Sequence, residues 1–242
     1  ILNPMSDFTI LLGLTLFSGV CVPLGALLAC TGTLKPSWLQ NEFRHFIIAM
    51  GGGILLGAVS EVLIPESLTV IHSQKYLLVF FLLGGLVFFQ IERKLGLKHR
   101  EQPQLMGMLL DFIPESLALG GLVASHSPST ALLALLIGLQ NLPEGFNTYR
   151  ELMHHKKASQ KKILLTMSAM ALLGPLFGII GYLFLSHSPT IIAIIMLFSA
   201  GGILYLIFQD IAPQAKLNKH WFPPLGAVVG FSIALLSSLL LS

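Results

Sequence analysis

Eight long apolar segments dominate this chain of 242 residues and leave few folds open to it. Each is close to the roughly 20 residues that a helix needs to cross a bilayer. A backbone in lipid must satisfy its own hydrogen bonds, and apolar runs without two-residue alternation favour helices over a barrel. The segments cover residues 8–32, 45–68, 75–92, 104–125, 130–149, 162–186, 190–213 and 222–242. They predict an all-α polytopic membrane protein with eight transmembrane helices.

The connections and the composition extend this prediction to the whole chain. No connection is long enough to fold as a soluble domain, so residues 1–242 are predicted to form a single transmembrane domain. Charged residues make up only 10% of the chain, whereas soluble domains contain about 25%. A lipid bilayer is therefore the expected surrounding. The net charge of +3 is too small to indicate a nucleic-acid partner.

Basic residues divide unevenly between the two sides of the predicted bundle. With eight helices both termini lie on one side, and Lys75 is the only one of 14 Lys and Arg residues on that side. Loops rich in Lys and Arg face the cytoplasm. We therefore expect a multi-pass protein of a cell (inner) membrane, with both termini outside the cytoplasm.

Acidic residues inside the apolar segments carry the strongest functional signal. An acid at the centre of a membrane helix costs about 2.5–3.5 kcal/mol on insertion scales, and no Lys or Arg lies deep in any segment. Glu66 and Asp210 lie near segment ends. There, a protonated carboxyl group, or a side chain that reaches the membrane surface, explains the acid as well as a functional role does. The deeper acids predict that a cation binds among them. Apart from Glu92, the last residue of the third segment, the acids inside the segments are Glu61, Glu66, Asp111, Glu115, Glu144 and Asp210.

Two short motifs place polar side chains on one face of neighbouring helices. The fourth segment reads Asp111-Phe-Ile-Pro-Glu115, and the fifth reads Gln140-Asn-Leu-Pro-Glu144. Residues four apart lie one helical turn apart on the same face. Each proline leaves a carbonyl of the preceding turn without its donor, and broken helices at the midplane are where transporters hold ions. We predict that proline breaks both helices near the midplane, and that Asp111, Glu115, Gln140 and Glu144 converge on one divalent cation.

The second and seventh segments repeat a pattern. Gly52-Gly-Ile-Leu and Gly201-Gly-Ile-Leu are each followed, at the same spacing, by an acid and then by a proline. The acid is Glu61 in one segment and Asp210 in the other. The two segments cross in opposite directions, which is typical of inverted repeats and alternating access. We expect Glu61 and Glu66 at the outer mouth of an ion pathway and Asp210 at the inner mouth.

Two glycine spacings have a more ordinary interpretation. Gly174 and Gly178 form one GxxxG pattern, and Gly226 and Gly230 form another. Small residues at this spacing allow membrane helices to approach closely. We interpret both as packing positions, with a homodimer interface as the weaker alternative.

Together these motifs resemble the ZIP (Zrt/Irt-like protein) family of divalent metal transporters, in its bacterial-type branch. The run 140–145 is similar to the family's motif in the fifth span, and the run 199–205 leading to Asp210 is similar to its seventh span. The resemblance covers essentially the whole chain. It implies import of zinc, or of a similar ion such as cadmium, manganese or iron, into the cytoplasm. The metal is then a substrate, and neither a cofactor nor an enzymatic activity is implied.

Three positions depart from the family pattern. Asp111 stands where the family has His, Phe112 where it has Asn, and Gly174 where many members have Glu. The resemblance implies that this Asn and this Glu belong to a second metal site beside the first, so their loss favours a single ion. It assigns the metal site to Asp111, Glu115, Gln140 and Glu144, with Asn141 as a remaining residue of the second site.

Two other functions stay open at this point. A relative that binds metal as a sensor, without transport, fits the lost ligands. An intramembrane hydrolase would use buried acids to activate water, but no segment carries an HExxH motif. A hydrolase with two aspartates is disfavoured because Asp111 and Asp210 lie at different predicted depths.

Overall fold

The computed structural model describes residues 4–30, 37–98, 103–154, 159–218 and 220–241. Within these ranges the chain is helical, and the only β feature is an isolated bridge between Leu217 and His220. The helices are α1 (Pro4–Cys30), α2 (Ser37–Ala58), π1 (Val59–Leu63), α3 (Ile64–Val70), α4 (Gln74–Lys98), α5 (Pro103–Ala124), α6 (Thr130–His154), α7 (Gln160–Ala171), α8 (Leu173–Leu185), α9 (Pro189–Leu206), π2 (Ile207–Ile211), α10 (Ala212–Ala215) and α11 (Leu225–Leu241). Five of the basic residues used to predict the orientation lie outside the described ranges. They are Lys35, Arg100, Lys156, Lys157 and Lys219.

Six helical stretches in the described part of the chain are long and apolar enough to cross a membrane. They are Asp7–Cys30, Glu42–Val70, Gln74–Lys94, Leu105–Ala124, Gln160–Leu185 and Pro189–Ala215. The prediction of an all-helical chain with apolar helices of membrane length is confirmed. Helix α11 is apolar but has only 17 residues, whereas α6 has 25 residues and carries a row of buried polar side chains that lowers its hydropathy.

Glycines bring several pairs of helices into close backbone contact. Gly25 of α1 lies against the carbonyl of Leu142 in α6, and Gly84 of α4 lies against that of Phe198 in α9. Helix α2 packs in the same way on α11, and α5 on α8. A side chain at these glycines would collide with the neighbouring backbone, so glycine sets the distance between the helices.

Both GxxxG spacings lie in contacts within this chain. Gly226 and Gly230 of α11 face backbone carbonyls of α2, and Gly174 and Gly178 of α8 face Thr15 of α1. These glycines therefore act as packing positions, as the sequence predicts.

The prediction that proline breaks the helices of the two motifs is wrong. Helices α5 and α6 run continuously through Pro114 and Pro143. A proline removes one helical hydrogen bond, and the close packing of α5 on α8 and of α6 on α1 holds the flanking turns in place.

Irregular turns occur instead in the helices with the repeated glycines. The turn π1 contains Glu61 and precedes Pro65, and π2 contains Asp210 and precedes Pro213. Each proline lacks an N–H for the preceding turn, which is where the helix widens. Such π-turns are frequent at functional sites.

Two apolar clusters fill the interior on either side of the middle of α5 and α6. The larger one lies toward the end of the bundle that carries Glu61 and Glu66, and we call it the Leu133 cluster. The smaller one lies toward the opposite end, and we call it the Met167 cluster. The Leu133 cluster includes Leu55, Val62, Leu119, Leu133 and Ile137, and the Met167 cluster includes Met108, Phe146, Tyr149, Ile163 and Met167. Polar side chains lie between the clusters.

Candidate metal centre

The five predicted ligand residues lie in the middle of α5 and α6 and are buried. Glu115, Gln140 and Asn141 have no exposed surface, whereas Asp111 is 2% exposed and Glu144 is 8% exposed. Within the described parts of these two helices, no Lys or Arg lies on the turns that carry these residues. The acids therefore have no basic partner from their own helices at this depth.

The side chains meet across the interface between α5 and α6. The Nε2 atom of Gln140 donates a hydrogen bond to Oε2 of Glu115 over 2.6 Å. The carboxyl groups of Asp111 and Glu144 line the same small cavity at this interface. Side chains of both motifs thus meet between the two helices.

Several oxygen atoms of this group have no hydrogen-bond partner among the described residues. They are Oδ1 of Asp111, Oε1 of Glu115, Oε1 of Gln140 and Oε2 of Glu144, and all are shielded from solvent. A buried acceptor without a partner is costly. Carboxylate and amide oxygens are suitable ligands for divalent cations, and particularly for the harder ones.

As placed, the acids do not form a closed ligand shell. Among the described residues, no three His, Cys, Asp or Glu side chains converge closely enough to hold a metal ion. The Glu115 carboxylate is turned toward Gln140. Binding of a cation by this group therefore requires a rotation of these side chains.

Asn141 has a different environment from Gln140. Its Nδ2 atom donates a hydrogen bond to the backbone carbonyl of Ser18 in α1 over 2.9 Å, and its Oδ1 atom is buried without a partner. The amide group thus connects α6 to α1. Its role as a ligand of a second metal site stays a prediction.

A small cavity joins Asp111 and Glu144 to Asp210. It has a volume of about 30 Å³ and is lined by Asp111, Glu144, Asn147 and Asp210 together with glycine and apolar residues. This volume is enough for a water molecule or an ion of similar size, since a water needs roughly 10–15 Å³. Asp210 therefore faces the same space as the central acids.

Glu61 and Glu66, by contrast, do not line this cavity. The hydroxyl of Ser60 donates to Glu61 over 3.3 Å, and that of Ser127 donates to Glu66 over 2.9 Å. The Leu133 cluster lies between them and the central acids. Asp210, at the predicted inner mouth, therefore shares a cavity with the central acids, whereas Glu61 and Glu66, at the predicted outer mouth, do not.

Sequence reasoning missed further polar residues beside the cavity. Asn147 and Thr148 are buried, and their side-chain oxygens have no partner among the described residues. They follow Glu144 by three and four residues, so the helical period already predicts that they continue its face of α6. Glu92, in the last turns of α4, has a buried carboxyl oxygen without a partner among the described residues, as Asp210 does. It follows Phe89, whose ring contacts that of Tyr205 in α9, by three residues.

A scan against models of protein families finds no match for this chain, and a search of curated proteins finds none either. Neither comparison assigns a family. The ZIP resemblance therefore rests on the motifs of α5, α6 and α9 alone.

Proposed function

We propose that this chain transports divalent transition-metal ions across a membrane through the centre between α5 and α6. The substrate is zinc or a similar ion such as cadmium, manganese or iron. The observation that carries the proposal is the meeting of Asp111, Glu115 and Glu144 with the Gln140 amide, buried and without Lys or Arg on the same turns. Each acid at this depth costs about 2.5–3.5 kcal/mol, a cost that a passing cation offsets.

The cavity beside the acids supports a route for the ion. It leads from Asp111 and Glu144 past Asn147 to Asp210, toward the end of the bundle where α4 ends with its basic residues. On the other side of the acids, buried residues of the Leu133 cluster occupy α5 and α6 toward the end where Ser127 contacts Glu66. Space on one side of the centre and apolar packing on the other support alternating access. The basic end faces the cytoplasm by the positive-inside rule, so the proposed direction is import.

The packing of the helices supports eight spans and an inverted repeat. With helices that follow one another directly counted as one, the described helices make up eight helical units, which we propose as eight spans. Helices α1 to α4 contribute the first three units, and α7 to α11 contribute the last three. In an inverted repeat, the first three units correspond to the last three, and α5 corresponds to α6. The contact of α1 with α6 then corresponds to the contact of α8 with α5. In the same way, the contact of α2 with α11 corresponds to that of α9 with α4. The turns π1 and π2 also correspond, and each holds an acid.

An intramembrane hydrolase is the second candidate, because Asp111 and Asp210 line one cavity despite their different predicted depths. A two-aspartate hydrolase needs room for a peptide or lipid substrate next to both acids. The cavity of about 30 Å³ holds a water molecule and excludes such a substrate. Its size therefore favours an ion. A metal sensor would bind the ion at the same centre without moving it across the membrane. Only a measurement of metal flux separates it from a transporter.

Reconstitution into proteoliposomes tests the proposal. We expect zinc, cadmium, manganese or iron to enter vesicles down an imposed gradient faster than into protein-free vesicles. Glu115→Gln and Glu144→Gln remove a charge at nearly constant shape and should remove most of the flux. Ser116→Ala, a change at the buried neighbour of Glu115, should leave the flux unchanged.

The possible results separate the three functions. Metal binding without flux in a folded protein would indicate the sensor. Flux that survives both glutamine variants would show that the ion takes another path. Cleavage of added substrate without metal flux would favour the hydrolase.

A further inference from the structure

An apolar groove opens on the side of the bundle between α2, α10 and α11. It has a volume of about 480 Å³, within the range of about 300–1,000 Å³ that is typical of ligand sites. Small residues form its floor, because side chains no larger than a methyl group leave a depression between the helices. These floor residues are Ala49, Gly53, Ala212, Ala215 and Ala227. We call this feature the α2–α11 groove.

The rim of the α2–α11 groove differs from its floor. Lys216 is exposed, and no described carboxylate pairs with it. Trp221 is 91% exposed and also lines the groove. His220 lines it too, and Nδ1 of its ring lies 2.5 Å from a carboxylate oxygen of Glu42, so this imidazole is already engaged by a neighbour. Among its described residues, the rim therefore offers the Lys216 ammonium group and the Trp221 ring above an apolar floor.

The position of the rim in the chain indicates its depth in a membrane. Lys216 and Trp221 lie in the connection between α10 and α11, at the end of an apolar stretch that spans Pro189–Ala215. Trp is enriched where a membrane helix meets water. The rim is thus at headgroup level, and the floor below it faces acyl chains.

We propose that the α2–α11 groove binds one anionic phospholipid. An acyl chain lies on the apolar floor, and the ammonium group of Lys216 contacts the phosphate and the anionic headgroup, while Trp221 lies beside the glycerol region. Charge complementarity selects the headgroup, as it does for basic pockets between membrane helices. Water is a poor occupant of so apolar a space, and acyl chains surround it.

The α2–α11 groove and the cavity of the candidate metal centre share a wall. The proposed lipid therefore lies next to the proposed ion pathway. Gly52 and Ile211 line both the groove and the cavity that joins Asp111 to Asp210. Ile211 belongs to π2, the turn that also carries Asp210. A chain in the groove therefore packs against the outer side of the turn that holds this acid.

Fluorescence quenching tests the proposal without any measurement of transport. The chain has two tryptophans, so Trp38→Phe leaves Trp221 as the single reporter. This variant is reconstituted in phosphatidylcholine vesicles that contain a small fraction of lipid with brominated acyl chains. We expect brominated phosphatidylglycerol to quench Trp221 more strongly than the same fraction of brominated phosphatidylcholine. Equal quenching by the two lipids would overturn the proposal.

Matched variants then locate the site. Lys216→Gln should reduce the preference for phosphatidylglycerol about fivefold, the factor that corresponds to one basic residue at an anionic surface. Lys162→Gln, at another exposed lysine, should not change it. Ala212→Phe fills the groove and should remove the preference, whereas Val228→Phe, at an exposed position of α11 outside the groove, should keep it. A preference that survives Ala212→Phe would place the lipid elsewhere.

Discussion

Phe112 and Gly174 are in direct contact across the interface between α5 and α8. A Cβ atom added to Gly174 would lie 3.1 Å from Cζ of Phe112 and 2.6 Å from the backbone oxygen of Thr15 in α1. These are the two positions where the ZIP resemblance implies ligands of a second metal site. The phenyl ring fills the space beside the glycine, so tight packing of three helices occupies the region in which a second ion would need oxygen ligands.

Gly174→Ala should lower the free energy of unfolding by about 1–3 kcal/mol, the usual cost of overpacking. The added methyl group meets a backbone oxygen that cannot move without shifting α1. Gly13→Ala is the control, because a Cβ atom at Gly13 has nothing within 4 Å. It should be neutral, or stabilising by about 0.5–1 kcal/mol. Thermal melting in detergent measures both, and equal melting temperatures would contradict the packing described here.

The same contact predicts one bound ion per chain. Phe112 supplies no ligand, and Gly174 has no side chain, so the oxygens that remain surround a single position. Anomalous diffraction from metal-soaked crystals counts the ions. Two strong peaks separated by about 3.5–4 Å, the spacing of paired-metal sites, would refute the prediction.

Asp210→Asn should weaken metal binding and slow flux more than Glu61→Gln does. Asp210 shares a cavity with Asp111 and Glu144, whereas the Leu133 cluster separates Glu61 from them. Asp210→Asn replaces an acid in the cavity that forms part of the proposed ion pathway. Calorimetric titration with cadmium, alongside vesicle flux, compares the two variants. If Glu61→Gln abolishes binding and Asp210→Asn does not, the pathway must be redrawn.

Asp111→His should shift the metal preference toward zinc. The present centre offers only oxygen, and carboxylate and amide oxygens suit manganese, whereas imidazole suits zinc. In the unmodified protein, manganese and iron should compete measurably with zinc. Competition assays on both proteins measure the ratio of affinities. A ratio unaffected by the substitution would mean that Asp111 does not contact the ion.

Asn141→Leu should affect stability and leave ion affinity unchanged. Its amide bonds to the Ser18 carbonyl, and the loss of one such bond costs about 0.5–1.5 kcal/mol. Gln140→Leu is the comparison, since Gln140 bonds to Glu115 and should lower affinity when replaced. Melting curves and metal titrations on the same samples separate the two effects. Lost binding in Asn141→Leu would make Asn141 a ligand.

The sequence alone predicted an all-helical chain with apolar helices of membrane length, and it named the polar residues that meet between α5 and α6. Apolar segments of membrane length must be helical, because lipid offers no other partners for the backbone. The helical period then places Asp111 with Glu115, and Gln140 with Glu144, on single faces. These properties are local, so a single segment contains the information for each.

Only the tertiary structure decided which side chains on these helix faces contact one another. That Gln140 pairs with Glu115, that Asn141 turns to Ser18, and that Asp210 shares a cavity with Asp111 all depend on contacts between segments distant in the chain. The predicted breaks at the motif prolines did not form, because packing against neighbouring helices keeps α5 and α6 helical through them. Which helices approach each other depends on complementary glycines and carbonyls on both partners. No single segment specifies that match.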